Sequence, residues 1–266
     1  MAKKRGVWFG VFTKPWPKKS LRELGKFISG LGFSGIEFPV RPGYPVPPEK
    51  VENLPKAAKV LAEFGVQIDS VAGPIDERTI AACGKAGVPM IRTCCGGGPG
   101  GYMAGEKRTQ KEFDALIPML DRHGVAIGVQ NHFGGGIGNA MGLLHLIEKY
   151  DPKHICAVWD AGHSGLVGQD VENEIDIVWS HLRMVNLKSA YWYRKNGPEA
   201  LVSEWTNRWT SGRHGQADWP KVAEVLKRRK WSGPVCLTAE YSEETEVDRL
   251  ITEDIAFAKS LFAKKK

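Results

Sequence analysis

Short runs of β-forming residues alternate with longer amphipathic segments eight times along this chain. The first of these segments, SLRELGKFISGLGF, repeats its apolar residues about every 3.6 positions, the period of a helix with one buried face. Strands that alternate with helices pair in parallel, because each helix returns the chain to the same edge before the next strand. Eight such units favour a closed barrel over an open sheet. The predicted strands are Gly6–Thr13, Gly35–Val40, Gln67–Ala72, Met90–Cys95, Ala126–His132, Ile155–Asp160, Arg183–Lys188 and Val235–Tyr241.

The ends of the segments support the same architecture. Glycine stands just before several predicted strands, where a helix often ends in a left-handed residue: Gly32, Gly65, Gly87 and Gly124. The first strand is not followed by a Gly-rich dinucleotide-binding turn, which argues against a Rossmann fold. No linker or change in composition divides the 266 residues, and α/β barrels of this length are commonly one domain. The sequence therefore predicts an α/β protein with a single (β/α)₈ barrel (TIM barrel) domain over residues 1–266.

Composition narrows the class of protein. The formal net charge is +7, and much of it lies in Lys3, Lys4 and Arg5 and in residues 264–266, so it is weak evidence for a nucleic-acid partner. The five cysteines are odd in number and have no CxxC spacing, which is typical of reduced thiols. No apolar run is long enough to span a membrane, and the apolar stretch near the start is too short for a secretion signal. We expect a cytoplasmic protein without a nucleic-acid or membrane partner, which forms a homo-oligomer or acts alone.

Two connections are unusually long. Gly96–Lys107 follows the fourth strand and is rich in glycine. Ser189–Ala217 follows the seventh strand and contains three tryptophans, Trp192, Trp205 and Trp209. In a barrel both connections overhang the face on which active sites are built. We expect Ser189–Ala217 to cover a pocket and to place at least one tryptophan against a ligand.

Polar residues stand where the apolar strands end, and packing alone does not explain them. A carboxylate that closes an apolar run is costly to bury unless it is paired or bound to a cation. Such carboxylates occur on the second, sixth and eighth strands, at Glu37, Asp160 and Glu240. The other polar residues at strand ends are Gln130, Asn131 and His132 on the fifth strand, His163 after the sixth, and Asn186 and Lys188 on the seventh. Asp160 and Glu240 are expected to converge in one pocket at the barrel mouth, which is lined by Gln130, His132, His163, Asn186 and Lys188.

The order of these motifs resembles the xylose-isomerase-like TIM-barrel family, which includes ketose 3-epimerases, hydroxypyruvate isomerase and inosose dehydratase. The resemblance covers essentially the whole chain. QNH stands where the family has ENH, WDAGH where it has D-x-x-H, and NLK where it has HLK. HGQADWP corresponds to the family's G-x-x-D-W, and Glu240 to the Glu of the last strand.

The resemblance implies a site for a divalent cation, Mn²⁺ or Mg²⁺. Its ligands, carried over by position, are Gln130, Asp160, Asn186 and Glu240. Gln130 replaces a Glu and removes one negative charge, and Asn186 is shorter than the usual His or Gln. Amide oxygens still ligate hard cations, so the implied site is altered and weakened.

The resemblance also implies two carboxylates that act as acid and base, and Gln130 does neither. Glu240 is left as the general base, with His132, His163 or Lys188 as the acid. One base suits isomerisation or elimination better than two-base epimerisation. The sequence thus predicts a sugar or keto-sugar isomerase, epimerase or lyase.

Three alternatives stay open at the level of sequence. In the first, Asp160 and Glu240 form structural ion pairs with Lys188 and Arg92. Glu37 either belongs to the site or forms a structural ion pair. In the second, the chain binds a sugar without turnover because Gln130 and Asn186 weaken metal binding at the site. The third, a DNA-repair endonuclease of the endonuclease IV type, requires a cluster of about three Zn²⁺ ions, for which the strand ends offer too few ligands.

Overall fold

The computed structural model of the chain describes residues 6–263. The basic residues near both termini that contribute to the net charge, Lys3, Lys4, Arg5 and Lys264 to Lys266, lie outside this range, as do the first and last residues of the predicted 1–266 domain.

Eight parallel strands close into a barrel in chain order, and the last strand pairs with the first. The predicted fold class is confirmed, and each predicted strand overlaps an observed one. The last strand ends at Leu237 rather than Tyr241, and the fifth ends at Gln130 rather than His132. The barrel strands are β1 (Trp8–Phe12), β2 (Gly35–Pro39), β3 (Gln67–Ala72), β4 (Met90–Cys94), β5 (Ala126–Gln130), β6 (Ile155–Asp160), β7 (Leu182–Leu187) and β10 (Pro234–Leu237).

Helices surround the barrel and begin at residues that satisfy their free backbone N–H groups. Ser20 and Glu23 form a reciprocal capping box at the first helix, and Asp218 caps the eighth as a hydrogen-bond acceptor. Gly87 and Gly124 end two helices with φ of 71° and 63°, as glycine at this position allows. The helices are α1 (Leu21–Gly30), α2 (Leu54–Ala62), α3 (Glu77–Ala86), α4 (Tyr102–His123), α5 (Ala140–Ile147), α6 (Ala161–Leu166), α7 (Val171–Val178), α8 (Trp219–Arg228) and α9 (Val247–Phe262).

Two apolar layers stabilise the barrel. The larger lies between the strands and the helices and includes the fully buried Trp159 and Trp219. A smaller cluster fills the barrel interior, with Phe12, Met90 and Met184 among its members. The interior is therefore a packed core, and barrels of this kind build their sites above it, at the carboxyl ends of the strands.

The two long connections contain secondary structure that the sequence analysis did not predict. The stretch Gly96–Lys107 is not all loop, because α4 already begins at Tyr102. Ser189–Ala217 contains an antiparallel hairpin, β8 (Ser189–Arg194) and β9 (Trp205–Thr210). The three tryptophans of this segment are thus strand residues.

None of the helices within residues 6–263 has the length and apolar character needed to cross a bilayer.

Candidate functional site

The polar strand ends expected from the sequence lie on four consecutive strands of the barrel, β5, β6, β7 and β10. Gln130 closes β5 and Asp160 closes β6. Asn186 pairs with Asp160 in the register of β6 and β7, and Glu240 follows the end of β10. Because neighbouring parallel strands end at the same edge, the four residues implied as metal ligands lie side by side.

Two connected spaces open at this edge. An inner cavity of about 220 Å³ lies over the barrel core, and an outer cleft of about 790 Å³ lies beside it. Lys14 and Glu240 line both spaces. Of the residues named from the sequence, Gln130, His132, His163, Asn186 and Glu240 line the inner cavity, and Lys188 lines the outer cleft.

Glu240 lies between two ammonium groups. Nζ of Lys188 donates to Oε2 at 2.8 Å, and Nζ of Lys14 donates to Oε1. Burial alone would raise the pKa of Glu240, but Lys188 and Lys14 outweigh it and lower the pKa to about 2. Glu240 is therefore a firmly ionised carboxylate and a weak base.

The backbone before Glu240 is strained. Ala239 has φ of 52°, in the left-handed region that residues with a Cβ seldom adopt. Such outliers cluster at functional sites. This turn ends β10 and directs Glu240 toward Lys188.

Asp160 is fully buried and its oxygens are already occupied. Oδ1 accepts from the backbone N–H groups of Gly162 and His163 at 2.9 and 3.1 Å, capping α6. Oδ2 accepts from Nε2 of Gln130 at 2.7 Å. Burial, only partly offset by Lys188, raises the pKa of Asp160 to about 6. Asp160 therefore holds Gln130 and the start of α6 in place beneath the inner cavity.

The backbone of Phe133 makes a hydrogen bond to each of two histidines, His132 and His163. Nδ1 of His132 donates to the Phe133 carbonyl at 2.8 Å, and the Phe133 N–H donates to Nδ1 of His163 at 3.2 Å. This network assigns the proton of His132 to Nδ1 and that of His163 to Nε2. The rings lie 4.0 Å apart between centroids. The His132 ring thus offers a lone pair on Nε2, and the His163 ring offers an N–H on Nε2.

Both histidines are neutral near pH 7. Burial, reinforced by Lys188, lowers the pKa of His163 to about 2. Burial also lowers the pKa of His132, against the opposing effect of the Phe133 carbonyl. His132 is therefore able to accept a proton, and His163 acts as a hydrogen-bond donor.

Two side chains that line the inner cavity carry buried polar atoms without a partner. Nε2 of His163 makes no hydrogen bond with any residue in the 6–263 range. The carboxamide of Asn186 lies close enough to Asp160 to lower its pKa, but the contact does not meet the geometry of a hydrogen bond, so both polar atoms of Asn186 lack a partner among the described residues. Such atoms are costly to bury. They are the groups that a polar ligand would satisfy.

Glu37 forms an ion pair with Arg92. The guanidinium donates to both carboxylate oxygens, at 2.8 and 3.0 Å, and the Glu37 side chain is 0% exposed. Of the pairs considered from the sequence, Lys188 with Glu240 is present, whereas Arg92 pairs with Glu37 rather than with Asp160 or Glu240. The Glu37–Arg92 pair forms one wall of the inner cavity.

The hairpin places one tryptophan at the site. The Trp209 ring lies 3.7 Å from Nζ of Lys188, measured to its centroid, and 4.9 Å from the His163 ring. Trp192 donates from its indole to the Leu166 carbonyl instead, and Trp205 is 61% exposed. Trp209 thus forms part of the aromatic lining of the outer cleft, together with Trp16, Tyr44 and Tyr241.

The donor set does not fit a hard divalent cation. The parts of the chain that the structure describes contain no group of three or more His, Cys, Asp or Glu side chains able to hold a metal. Both oxygens of Glu240 accept from ammonium groups, and both oxygens of Asp160 accept from N–H groups. A cation would have to displace Lys188 and then face only two carboxylates.

Sequence reasoning missed two cations of the inner cavity, Lys14 and Arg41. Lys14 follows β1 closely, and Arg41 follows β2. Both obey the same rule, a polar residue just past a barrel strand, that identified the others. That rule was applied to carboxylates and to the second half of the chain, so the lysine and arginine of the first half were not recognised.

A family model described as a xylose isomerase-like TIM barrel matches residues 26–261. The chain is also similar to inosose dehydratase of Geobacillus thermodenitrificans, with 27% identity over 144 residues, 50% of this chain and 48% of that relative. Inosose dehydratase of Bacillus velezensis is 24% identical over the same shares. The chain spans about half the length of the curated relatives it matches.

Solved structures resemble the whole fold. 3-Keto-D-glucoside 4-epimerase from E. coli superposes with a TM-score of 0.72 at 14% identity, covering 97% of this chain and 100% of that chain. A probable 3-DHS dehydratase from Bacillus anthracis gives a TM-score of 0.71 at 12% identity with the same coverage. At such identities the likeness establishes the fold alone.

Proposed function

The chain belongs to the xylose isomerase-like TIM barrel family, and we propose that it is an enzyme that moves a proton on a keto-sugar or related polyol. Similarity to inosose dehydratases supports a carbohydrate-type substrate. The observation that carries the proposal is the set of unsatisfied buried atoms on Asn186 and His163, which line one cavity with Glu240 and His132. A polyhydroxylated ligand supplies the donors and acceptors that these atoms lack.

The cavity residues divide into groups that bind oxygen and groups that accept a proton. The N–H of His163 and the carboxamide of Asn186 are suited to substrate hydroxyl or carbonyl oxygens. Lys188 carries an ammonium group beside Glu240, which stabilises negative charge on a carbonyl oxygen when a proton leaves the neighbouring carbon. This arrangement supports enolisation.

Two groups are candidates for the base. Glu240 is the base expected from the sequence, but its pKa of about 2 lies far from the neutral range in which general bases work best. His132 is neutral and has a bare Nε2 at the cavity. We propose that His132 accepts the proton and that Glu240 positions Lys188, with Glu240 as the alternative base.

One proton acceptor suits isomerisation or β-elimination better than two-base epimerisation, because a single group returns the proton on the face from which it came. Gln130 does not act as a second base, since its amide does not ionise near neutral pH. We therefore place the protein among the isomerase and lyase activities of the family. A cytoplasmic location and self-association stay predictions.

The test is solvent-deuterium exchange. The protein is incubated in D₂O with a panel of ketoses, keto-inositols and keto-acids, and deuterium at carbon is followed by NMR. Either His132→Gln or Glu240→Gln is expected to slow exchange by about 10²–10⁴-fold, whereas the surface variant Lys221→Met keeps the wild-type rate.

The pH profile separates the two bases. With His132 as base, kcat/KM falls on the acid side with the pKa of a histidine, whereas with Glu240 as base it stays level well below pH 5. Tight binding of a panel compound without exchange would instead identify a sugar-binding protein.

A further inference from the structure

We infer that the ammonium group of Lys188 takes the place of a divalent cation in this site, so that its electrophilic chemistry needs no bound metal. The catalytic part of this inference rests on the proposed function, whereas the metal-binding part stands without it.

The Lys188 side chain is buried and is held between Glu240 and Trp209. It is the first residue after β7, its side chain is 7% exposed, and Nζ lies 2.8 Å from Oε2 of Glu240. The Trp209 ring packs 3.7 Å from the same nitrogen, which is a favourable cation–π distance. Gly162 makes room for the stem, because a Cβ there would lie 2.9 Å from Cβ of Lys188.

The charge of Lys188 reaches the whole site. Nζ of Lys188 pairs with Glu240 on one side and lies against the Trp209 ring on the other, and the Trp209 ring in turn contacts the His163 ring. A single ammonium group is therefore central to the residues that surround the cavity. This is the electrostatic position of a resident cation.

A divalent metal ion is excluded by the same arrangement, because Glu240 already pairs with the ammonium groups of both Lys188 and Lys14. A metal ion bound to Glu240 would lie a few ångströms from Lys188, and two like charges at that distance in a protein interior repel strongly. The available negative charge is also small, because Gln130 and Asn186 are neutral. Lys188 and a divalent ion thus compete for the same position beside Glu240.

The chemistry that follows is balanced without a further reactant. The base removes a proton from the carbon next to the substrate carbonyl, and the C–H electron pair forms a C=C bond. The carbonyl π pair moves to oxygen, which accepts a hydrogen bond from Nζ of Lys188. Return of the proton to carbon restores the carbonyl.

The experiment titrates Mn²⁺ into the full-length protein by calorimetry and by thermal shift, with wild type, Lys188→Met and the surface control Lys221→Met. Wild type and Lys221→Met are expected to show no Mn²⁺-dependent heat or stabilisation at micromolar concentrations. Lys188→Met is expected to bind Mn²⁺ at least about 100-fold more tightly, because the buried competing charge is gone and only the half-exposed Lys14 stays beside Glu240. The double variant Lys14→Met/Lys188→Met removes that charge as well and should bind Mn²⁺ at least as tightly. Circular dichroism establishes that each variant is folded, and if Lys188→Met is not, Lys188→Gln replaces it.

Each outcome decides the inference. Micromolar Mn²⁺ binding by wild type, or stoichiometric metal in the purified protein, overturns it. A folded Lys14→Met/Lys188→Met variant that still fails to bind Mn²⁺ overturns the claim that Lys188 holds the cation's place. Where exchange on a keto-sugar is found, wild-type activity should withstand EDTA, and Lys188→Met should lower kcat/KM by about 10²–10³-fold. Absence of exchange on every compound refutes the proposed function but leaves the metal titration valid.

Discussion

Removal of Arg92 tests whether the Glu37–Arg92 ion pair is needed for folding. Glu37 is 0% exposed, and Ser70 is its other hydrogen-bond donor, at 3.1 Å. In Arg92→Met the carboxylate loses two charge-assisted hydrogen bonds and stays buried. Breaking such a pair from one side costs about 3–5 kcal/mol, which corresponds to a fall in Tm of about 6–20 °C for a protein of this size. Urea unfolding followed by tryptophan fluorescence measures the loss.

The double variant Glu37→Gln/Arg92→Met separates the lost pair from the stranded charge. It should recover at least half of the loss, because no ionised group then remains buried without a partner. Arg249→Met is the matched control: Arg249 also contacts two carboxylates but is 57% exposed, so its loss should cost less than about 1 kcal/mol. A cost below about 1 kcal/mol for Arg92→Met would refute the reasoning.

Three further predictions concern the rest of the molecule. Burial raises the pKa of Asp254 to about 6, so the folded state holds a proton that the unfolded state releases. Asp254 therefore destabilises the protein above pH 6, and from pH 7 to pH 5 wild type should gain about 1 kcal/mol relative to Asp254→Asn in unfolding titrations. Trp209→Leu removes the ring beside Lys188 and should weaken binding of any compound active in the exchange assay, as measured by calorimetry. Gly105→Ala places a Cβ 1.8 Å from a backbone carbonyl oxygen and should lower Tm, whereas Gly30→Ala, with nothing within 4 Å, should not.

The barrel could be predicted because each sequence pattern that indicates it lies within a short stretch of the chain. The alternation of strand and helix depends on the period of apolar residues, and each helix end depends on a capping residue close by in the chain. The position of polar residues at strand ends was also readable, since a carboxylate after an apolar run has few structural explanations. The hairpin Ser189–Thr210 was missed because its strands pair with each other at the surface and lack the apolar pattern of a barrel strand.

The partners of those polar residues depended on the closed barrel. The sequence placed Glu37, Asp160 and Glu240 at one edge, but distances of a few ångströms decide which cation each one meets. Only the tertiary structure joined Arg92 to Glu37, Gln130 to Asp160, and Lys14 to Glu240, and it decided between the partners that the sequence had offered to Lys188.

Throughout this protein, the sequence determines the features that depend on nearby residues, and the fold determines the features that depend on distant ones. The eight barrel strands and the edge at which their polar residues stand follow from neighbours along the chain, so the sequence by itself determined them. Protonation, tautomer and charge balance follow from burial and from groups far apart in sequence, such as Lys14 and Glu240, so only the folded structure decided them. The chemistry of the site belongs to this second class, because a proton's affinity for a group depends on every charge around it.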